Sequence, residues 1–108
     1  MSAVPSIHES DFQRQVTDLA ELLGWSYVHF RPARTAQGWR TPVQGSLGKG
    51  WPDLILVRGK QILAVELKAQ GKNPTPEQNA VGDALTGAGI EYLVWWPSDF
   101  DDITVALR

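Results

Sequence analysis

The sequence predicts a mixed α/β domain in which a central sheet is flanked by helices. Three observations predict this class: an amphipathic stripe near the N-terminus, an apolar hairpin in the middle of the chain, and a capped helix that leads into another apolar strand. The predicted order of elements is αβββαβ. With 108 residues, 43% of them hydrophobic, the chain is long enough for one domain over residues 1–108 with a modest core.

The first predicted element is a helix over Ile7–Leu23. Its apolar residues recur at helical spacing: Phe12, Val16, Leu19, Ala20 and Leu23. Gly24 lies just beyond them, as is typical of a helix end. Glu9 lies on the same stripe, three residues before the first of them, and is therefore predicted to point toward the sheet. An alternative role for Glu9 is a capping box, in which its side chain bonds back to the Ser6 backbone.

A strand over Trp25–Phe30 and a long loop over Arg31–Gly50 follow this helix. The strand is rich in aromatic and branched residues. The loop carries several Gly and Arg residues, and loops of this length in small domains are usually functional or mobile.

The C-terminal third of the chain predicts a helix and then a strand. Thr75 is placed as the N-cap of the helix, with Pro76 at its first position. The later boundaries are a helix end at Gly87–Gly89, an apolar strand over Glu91–Trp96, and a short edge strand or tail over Ile103–Leu107.

The central residues 52–67 read as two apolar strands joined by Gly59-Lys60. Gly at the first turn position favours a type II′ hairpin turn. In that register opposed residues have numbers that add to 119, so Asp53 lies opposite Glu66. Both faces of the hairpin are apolar, which predicts that both are covered.

Two carboxylates directly opposed at the end of a hairpin are unfavourable without a bound partner. At about 5 Å and an effective dielectric constant near 20, their repulsion costs about 3 kcal/mol. A divalent cation held by Asp53, Glu66 and a neighbouring backbone carbonyl would relieve it, since Mg²⁺ and Mn²⁺ prefer oxygen ligands. The alternative is that both side chains end their strands in solvent, with Lys68 as an ionic partner.

These residues form a pattern that resembles the PD-(D/E)XK nuclease superfamily. The pattern is Glu9, then Pro52-Asp53, then Glu66-Leu67-Lys68 after 12 intervening residues, then Gln78. Within the superfamily, the runs Gly48-Lys49-Gly50-Trp51-Pro52-Asp53-Leu54 and Glu9-Ser10-Asp11-Phe12 resemble the virus-type replication-repair nuclease (VRR-NUC) domain. The resemblance extends over about residues 7–105, and it implies the restriction-endonuclease-like core αβββαβ, with a mixed central sheet flanked by helices.

The resemblance implies a metal-dependent endonuclease that hydrolyses DNA phosphodiester bonds. Asp53, Glu66 and the Leu67 carbonyl are the implied ligands of Mg²⁺ or Mn²⁺, and Lys68 is the implied catalytic partner. The family also places a carboxylate at Glu9, which could hold a second cation. Branched, flapped or four-way (Holliday) junction DNA is the implied substrate, in replication, repair or recombination. A catalytically silent DNA-binding or assembly module with this fold is the alternative.

Charge along the chain is uneven although the net charge is only −2. Residues 31–72 hold eight basic and two acidic residues, a local balance of +6, and the rest of the chain carries −8. A basic segment around an acidic pair suits a polyanion that approaches a metal site, although most such runs are ordinary solvated surface. The predicted DNA contacts are Arg31, Arg34, Arg40, Lys49 and Lys72.

Several other residues have two interpretations. Gln78 matches a helix position that adjoins the active site in the family, and it also fits the third position of a T-x-x-Q capping box. Trp39 and Trp51 lie in the basic segment and could stack on bases, whereas packing is at least as good an account of Trp51.

The chain has no cysteine and no apolar stretch long enough to cross a membrane. These features and the lack of a signal-peptide pattern predict a cytoplasmic protein. The adjacent Trp95 and Trp96 must point to opposite faces of a strand, so one of them is predicted to emerge on a surface that binds a partner. Since symmetric incision of a junction needs two sites, we expect a homodimer.

Overall fold

The computed structural model describes residues 8–30, 33–36, 38–40 and 43–108, with the backbone alone described at 33–35 and 38–40. The helices in this part of the chain are α1 (Glu9–Leu22), α2 (Pro76–Gly87) and α3 (Phe100–Leu107). The strands are β1 (Ser26–His29), β2 (Ala33–Thr35), β3 (Gly38–Arg40), β4 (Leu54–Arg58), β5 (Gln61–Leu67) and β6 (Glu91–Trp95). The predicted αβββαβ core is confirmed as α1-β1-β4-β5-α2-β6.

The main sheet has four strands in the order β1-β4-β5-β6. β1, β4 and β5 are antiparallel to their neighbours, whereas β6 runs parallel to β5, as a crossover through α2 allows. The sheet is therefore mixed, as predicted.

The segment predicted as one long loop is more ordered than expected. It contains the antiparallel β2–β3 hairpin and a short 3₁₀ helix at Gly48–Gly50. Strands of three residues show too little alternation to be told from a loop by sequence pattern.

The β4–β5 hairpin has the predicted register. Val57 lies opposite Ile62, and Arg58 lies opposite Gln61 across the turn. Gly59 has a φ of 59°, while no non-glycine residue in the described part of the chain has a positive φ. This is the pattern of a type II′ turn, in which only the first central residue needs the conformation that glycine adopts readily.

One face of the main sheet forms the core with α1 and α3. The buried residues that form it share an apolar side chain: Phe12, Val16, Ala20, Trp25, Leu54, Leu56, Leu63, Val65, Leu67, Trp95, Ile103 and Leu107. The prediction of a strand or tail over Ile103–Leu107 was wrong, because this segment is α3. A run of five residues fits both the period of a strand and that of a helix. The buried residues Ile103 and Leu107 are four positions apart and therefore lie on the same side of α3, which faces the core.

The opposite face is covered in part by α2, so the prediction that both hairpin faces are covered was wrong. Gly82 of α2 lies on Tyr92 of β6, where an added Cβ would be 2.4 Å from the ring. Farther along the same face, Val28, Val57 and Ile62 are 48%, 42% and 40% exposed. An apolar pattern alone does not reveal whether a second layer extends over the whole sheet.

Helix α1 begins later than predicted. His8 is its N-cap, with no side-chain capping bond, and Glu9 is its first residue. The predicted capping box needed Glu9 in the third position, so it does not match this helix start. Ser6 and Ile7 lie outside the described residues. No helix in the described ranges is both long and apolar enough to cross a membrane.

Candidate metal and nucleic-acid site

Asp53 is fixed at the end of the hairpin by bonds to two other segments. Its Oδ2 accepts a hydrogen bond of 2.8 Å from the backbone N–H of Leu67 on β5. Its backbone carbonyl accepts a 2.8 Å bond from the N–H of Phe30, which follows β1. The preceding Pro52 is buried, and its ring fixes its own φ. The carboxylate is therefore held across the open end of the hairpin, as the predicted register requires.

Glu66 is the one buried carboxylate among the described residues, with 2% of its surface exposed. Its Oε1 accepts a 3.2 Å hydrogen bond from Nε2 of Gln78 on α2. Its Oε2 has no hydrogen-bond partner in the described part of the chain. Burying a polar atom without a partner costs about 1–3 kcal/mol, and more when the group is charged. This oxygen is where a cation or a proton would be most stabilising.

The pKa of Glu66 is raised to about 9, first by burial and then by the neighbouring carboxyl group of Asp53. The charge of Lys68 opposes this and lowers the pKa of Glu66, and that of Glu9 raises it further. The other three predicted catalytic residues thus all act on the carboxyl group of Glu66. Without a cation, the pair therefore stays partly protonated at neutral pH.

Lys68 and Glu9 lie within electrostatic range of Glu66 and come from two different elements. Lys68 directly follows β5, and its backbone N–H donates a 2.9 Å bond to the carbonyl of Trp95. Glu9 is the exposed first residue of α1. No group of three or more His, Asp or Glu side chains within the described residues is close enough to hold a metal. A cation here would have two side-chain ligands and would need other oxygen atoms.

Gln78 unites the two roles predicted for it. Its Oε1 accepts a 2.8 Å bond from the Thr75 N–H, and its own N–H donates a 3.2 Å bond to Thr75 Oγ1, which forms the capping box. Because the amide oxygen is used by the cap, the amide nitrogen is left to donate to Glu66. The start of α2 therefore orients the buried carboxyl group.

The predicted DNA contacts are only partly described. The ammonium of Lys49 lies 3.3 Å from the Glu77 carboxylate, and the Lys49 side chain is 81% exposed while that of Glu77 is 44% exposed. Lys72 is exposed, and its carbonyl accepts a 2.6 Å bond from the Trp96 indole. The side chains of Arg31, Arg34 and Arg40 lie outside the described residues.

Arg58, which the sequence places in the basic segment, has a structural role instead. Its guanidinium lies 4.3 Å from the centroid of the Trp25 ring. It also donates bonds of 3.0 and 2.9 Å to the carbonyls of Leu23 and Leu107, at the C-terminal ends of α1 and α3. These partners are 35 and 49 residues away in the chain, so no local pattern could have revealed them.

Tyr92 is a neighbour of the site that sequence reasoning missed. Its hydroxyl is buried with no hydrogen-bond partner among the described residues. Burial, followed by the charges of Glu66 and Asp53, raises the pKa of Tyr92 to about 12. Tyr92 lies on β6, opposite Ala64 of β5, and Ala64 is two residues before Glu66. This proximity could be predicted only if the parallel register of β5 and β6 were already known.

A solved structure described as a VRR_NUC domain is similar to this chain. The two share 21% sequence identity and a TM-score of 0.64, over 88% of this chain and 91% of the other. This chain has the fold of a VRR-NUC domain. The fold prediction drawn from the sequence resemblance is therefore confirmed.

Sequence comparisons add no further relative. No protein-family model matches the chain. No curated protein matches it either. The VRR-NUC fold is thus established by the structural likeness.

Proposed function

We propose that this protein is a metal-dependent deoxyribonuclease that hydrolyses phosphodiester bonds. The observation that carries the proposal is the pair of neighbouring carboxyl groups of Asp53 and Glu66, of which Glu66 is buried and leaves one oxygen without a described partner. A VRR-NUC fold, a nuclease-type fold, supports this assignment.

Asp53, Glu66 and the main-chain carbonyl of Leu67 would hold Mg²⁺ or Mn²⁺. The N–H and C=O of a strand residue point to the same neighbour, and the Leu67 N–H donates to Asp53, so its carbonyl faces the same side. Two carboxylates with a carbonyl suit a cation that keeps several waters. When bound, the cation lowers the pKa of a water and offsets charge on the phosphate.

Lys68 lies next to this ligand set and acts on Glu66 through its charge. The position fits three roles: to orient the attacking water, to help deprotonate it, or to stabilise the pentavalent transition state. An ammonium acts as a base only if burial and a nearby cation depress its pKa.

Glu9 is the candidate ligand for a second cation. In two-metal sites the two cations are about 4 Å apart. The charge of Glu9 raises the pKa of Glu66, which indicates that Glu9 lies within electrostatic range. Gln78 acts as a positioning residue, because it holds Oε1 of Glu66 and leaves Oε2 for the cation.

DNA is the proposed substrate, in branched, junction or flap form. The basic residues Arg31, Arg34, Arg40, Lys49 and Lys72 would bind its phosphates, and release of condensed counterions would make binding depend on salt. The Lys49 side chain is largely exposed in its ion pair with Glu77, so a phosphate can compete for that ammonium. A cytoplasmic location and a part in replication, repair or recombination stay predictions.

A homodimer is also proposed, although on a different surface from the one first expected. Trp95 is buried in the core, and Trp96 donates its indole N–H to Lys72, so the tryptophan pair does not provide a free apolar surface. The open sheet face with Val28, Val57 and Ile62 is the better candidate. Two copies joined by a two-fold axis would present two sites to one junction.

The test is a cleavage assay with Mg²⁺ and with Mn²⁺ on duplex, flap and four-way-junction DNA. We expect the wild type to cut branched substrates, and Asp53→Asn to lose cleavage while remaining folded. Asp18→Asn, at an exposed position on α1, is the matched control and should cut at the wild-type rate. A folded wild type that binds DNA but cuts none of these substrates would favour the silent DNA-binding module instead.

A further inference from the structure

A cavity of about 380 Å³ lies beside Trp51, outside the carboxylate site. It is lined by residues 43–48 and by the Trp51 ring. Pockets that bind small organic groups begin at about 300 Å³, so the space can take one planar ring. Neither the fold nor the proposed metal site accounts for it.

The cavity lies two residues from the proposed catalytic carboxylate in the chain. Trp51 has an extended backbone (φ −61°, ψ 137°) and is followed by buried Pro52 and then by Asp53. Two extended residues span about 7 Å. Consecutive nucleotides advance about 3.4 Å along a strand of duplex DNA, so this distance corresponds to one or two nucleotides.

The segment that carries Trp51 is also anchored to helix α2. A Cβ at Gly50 would lie 2.2 Å from the carbonyl oxygen of Glu77, so the two backbones are in direct contact. Lys49 pairs with Glu77 at the same place. Since the next residue of α2, Gln78, holds Glu66, the cavity and the carboxylate pair share one support.

The chemistry of the cavity favours a base and not a phosphate. The Trp51 ring is held edge-to-face by Phe30, with 6.0 Å between centroids, and its indole nitrogen lies below the surface. Trp51 is the one aromatic residue among the described residues that line the cavity. Leu47 adds an apolar side chain that is 40% exposed. Such walls stack on any base without reading its identity.

We infer that this cavity binds one unpaired nucleobase of the DNA substrate, within one or two nucleotides of the phosphate that is cut. The inference rests on the proposed function and adds a substrate class to it. A paired base is held in the duplex stack and cannot enter, so the cavity selects DNA with an unpaired nucleotide beside the cleavage site, whatever its sequence.

The test is an abasic scan of flap DNA, with binding measured by fluorescence anisotropy in Ca²⁺ so that cleavage does not interfere. We expect the wild type to lose affinity about 5- to 100-fold when one particular base near the junction is removed, as base–aromatic stacking would cause. Removing bases elsewhere should change little. All four bases at that position should bind alike.

Variants of the cavity residues then test whether the base contact lies in this cavity. Leu47→Ala and Trp51→Phe should each remove part of the abasic penalty, because each takes away apolar contact area and leaves an aromatic ring in place. Leu22→Ala removes another exposed leucine, 81% exposed on α1, and should keep the full penalty. Thermal melts confirm that each variant folds.

Two results would overturn the inference. Wild-type affinity that is the same for every abasic position, with binding otherwise intact, would refute the base site and leave the nuclease proposal untouched. A penalty that persists unchanged in both Leu47→Ala and Trp51→Phe would place the base contact elsewhere. A wild type that binds no DNA at all would refute the proposed function together with the inference.

Discussion

Glu66 is the residue whose energetics differ most from its ordinary behaviour. Its pKa is raised from 4.5 to about 9 by burial and by Asp53. The folded protein therefore keeps a proton on Glu66 that the unfolded chain has already released. Between about pH 4.5 and pH 9 the unfolded state binds fewer protons, so the free energy of unfolding falls as pH rises through this range.

The first prediction is that Glu66→Gln stabilises the cation-free protein at neutral pH. The neutral amide keeps an acceptor for Gln78 and can donate to Asp53, which removes a buried carboxyl with an unpartnered oxygen. We expect a gain of roughly 1–3 kcal/mol at pH 8 and a weaker pH dependence of stability above pH 5. Urea unfolding of both proteins at several pH values measures it.

The exposed Glu21→Gln is the control for this prediction and should leave the free energy of unfolding within about 0.5 kcal/mol. If Glu66→Gln were as pH-dependent as the wild type, the proton held by Glu66 would not be the cause of the slope.

The second prediction concerns Arg58, which joins three parts of the chain. Its guanidinium donates to the carbonyls of Leu23 and Leu107 and stacks on Trp25. We expect Arg58→Ala to lower the free energy of unfolding by about 2–4 kcal/mol, because charged hydrogen bonds and a cation–π contact are lost together. Arg14→Ala, at an exposed ion pair, should cost less than about 0.5 kcal/mol in the same chemical denaturation. Equal losses would assign Arg58 to the basic surface after all.

Among the elements, helix α2 has the contacts that position the buried carboxyl group of the site. It covers part of one sheet face, its first turn holds Glu66 through Gln78, and its Gly82 lies on Tyr92. The close approach at Gly82 sets the distance between the helix and the sheet. A change there should be felt at the carboxylate pair.

The third prediction compares two glycines of α2. Replacing glycine by alanine inside a helix usually stabilises it by up to about 1 kcal/mol. Gly87→Ala should follow this rule, since no atom lies within 4 Å of its added Cβ. Gly82→Ala should instead destabilise by about 1–3 kcal/mol, because its Cβ would be 2.4 Å from the Tyr92 ring. Thermal denaturation of the two variants gives the sign of each change, and a stabilised Gly82→Ala would contradict this packing.

Predictability also differs between elements. The β4–β5 register followed from one glycine turn and period-two alternation, both of which are local. The same local pattern predicts that Asp53 lies opposite Glu66. The short β2 and β3 strands and α3 were missed because three to five residues fit more than one period. The half-open sheet face was missed because coverage depends on where α2 lies in three dimensions.

At the scale of the whole molecule, the unpartnered sheet face bears on assembly. Val28, Val57 and Ile62 form an apolar surface beside the edge strand β1. The fourth prediction is a dimer of about 24 kDa, twice the 11.9 kDa of one chain, at micromolar concentration. Light scattering measures it, and Val57→Lys should shift the mass toward 12 kDa by placing like charges across the interface. A wild type of 12 kDa with and without DNA would refute the dimer.

The central claim is that Asp53 and Glu66 form a cation site, and isothermal calorimetry with Mn²⁺ tests it most directly, without DNA or turnover. We expect the wild type to bind Mn²⁺, Asp53→Asn and Glu66→Gln to lose binding at least about tenfold, and Lys68→Ala to keep it while losing most cleavage. A wild type that binds no Mn²⁺, or carboxylate variants that bind it as tightly as the wild type, would contradict the claim.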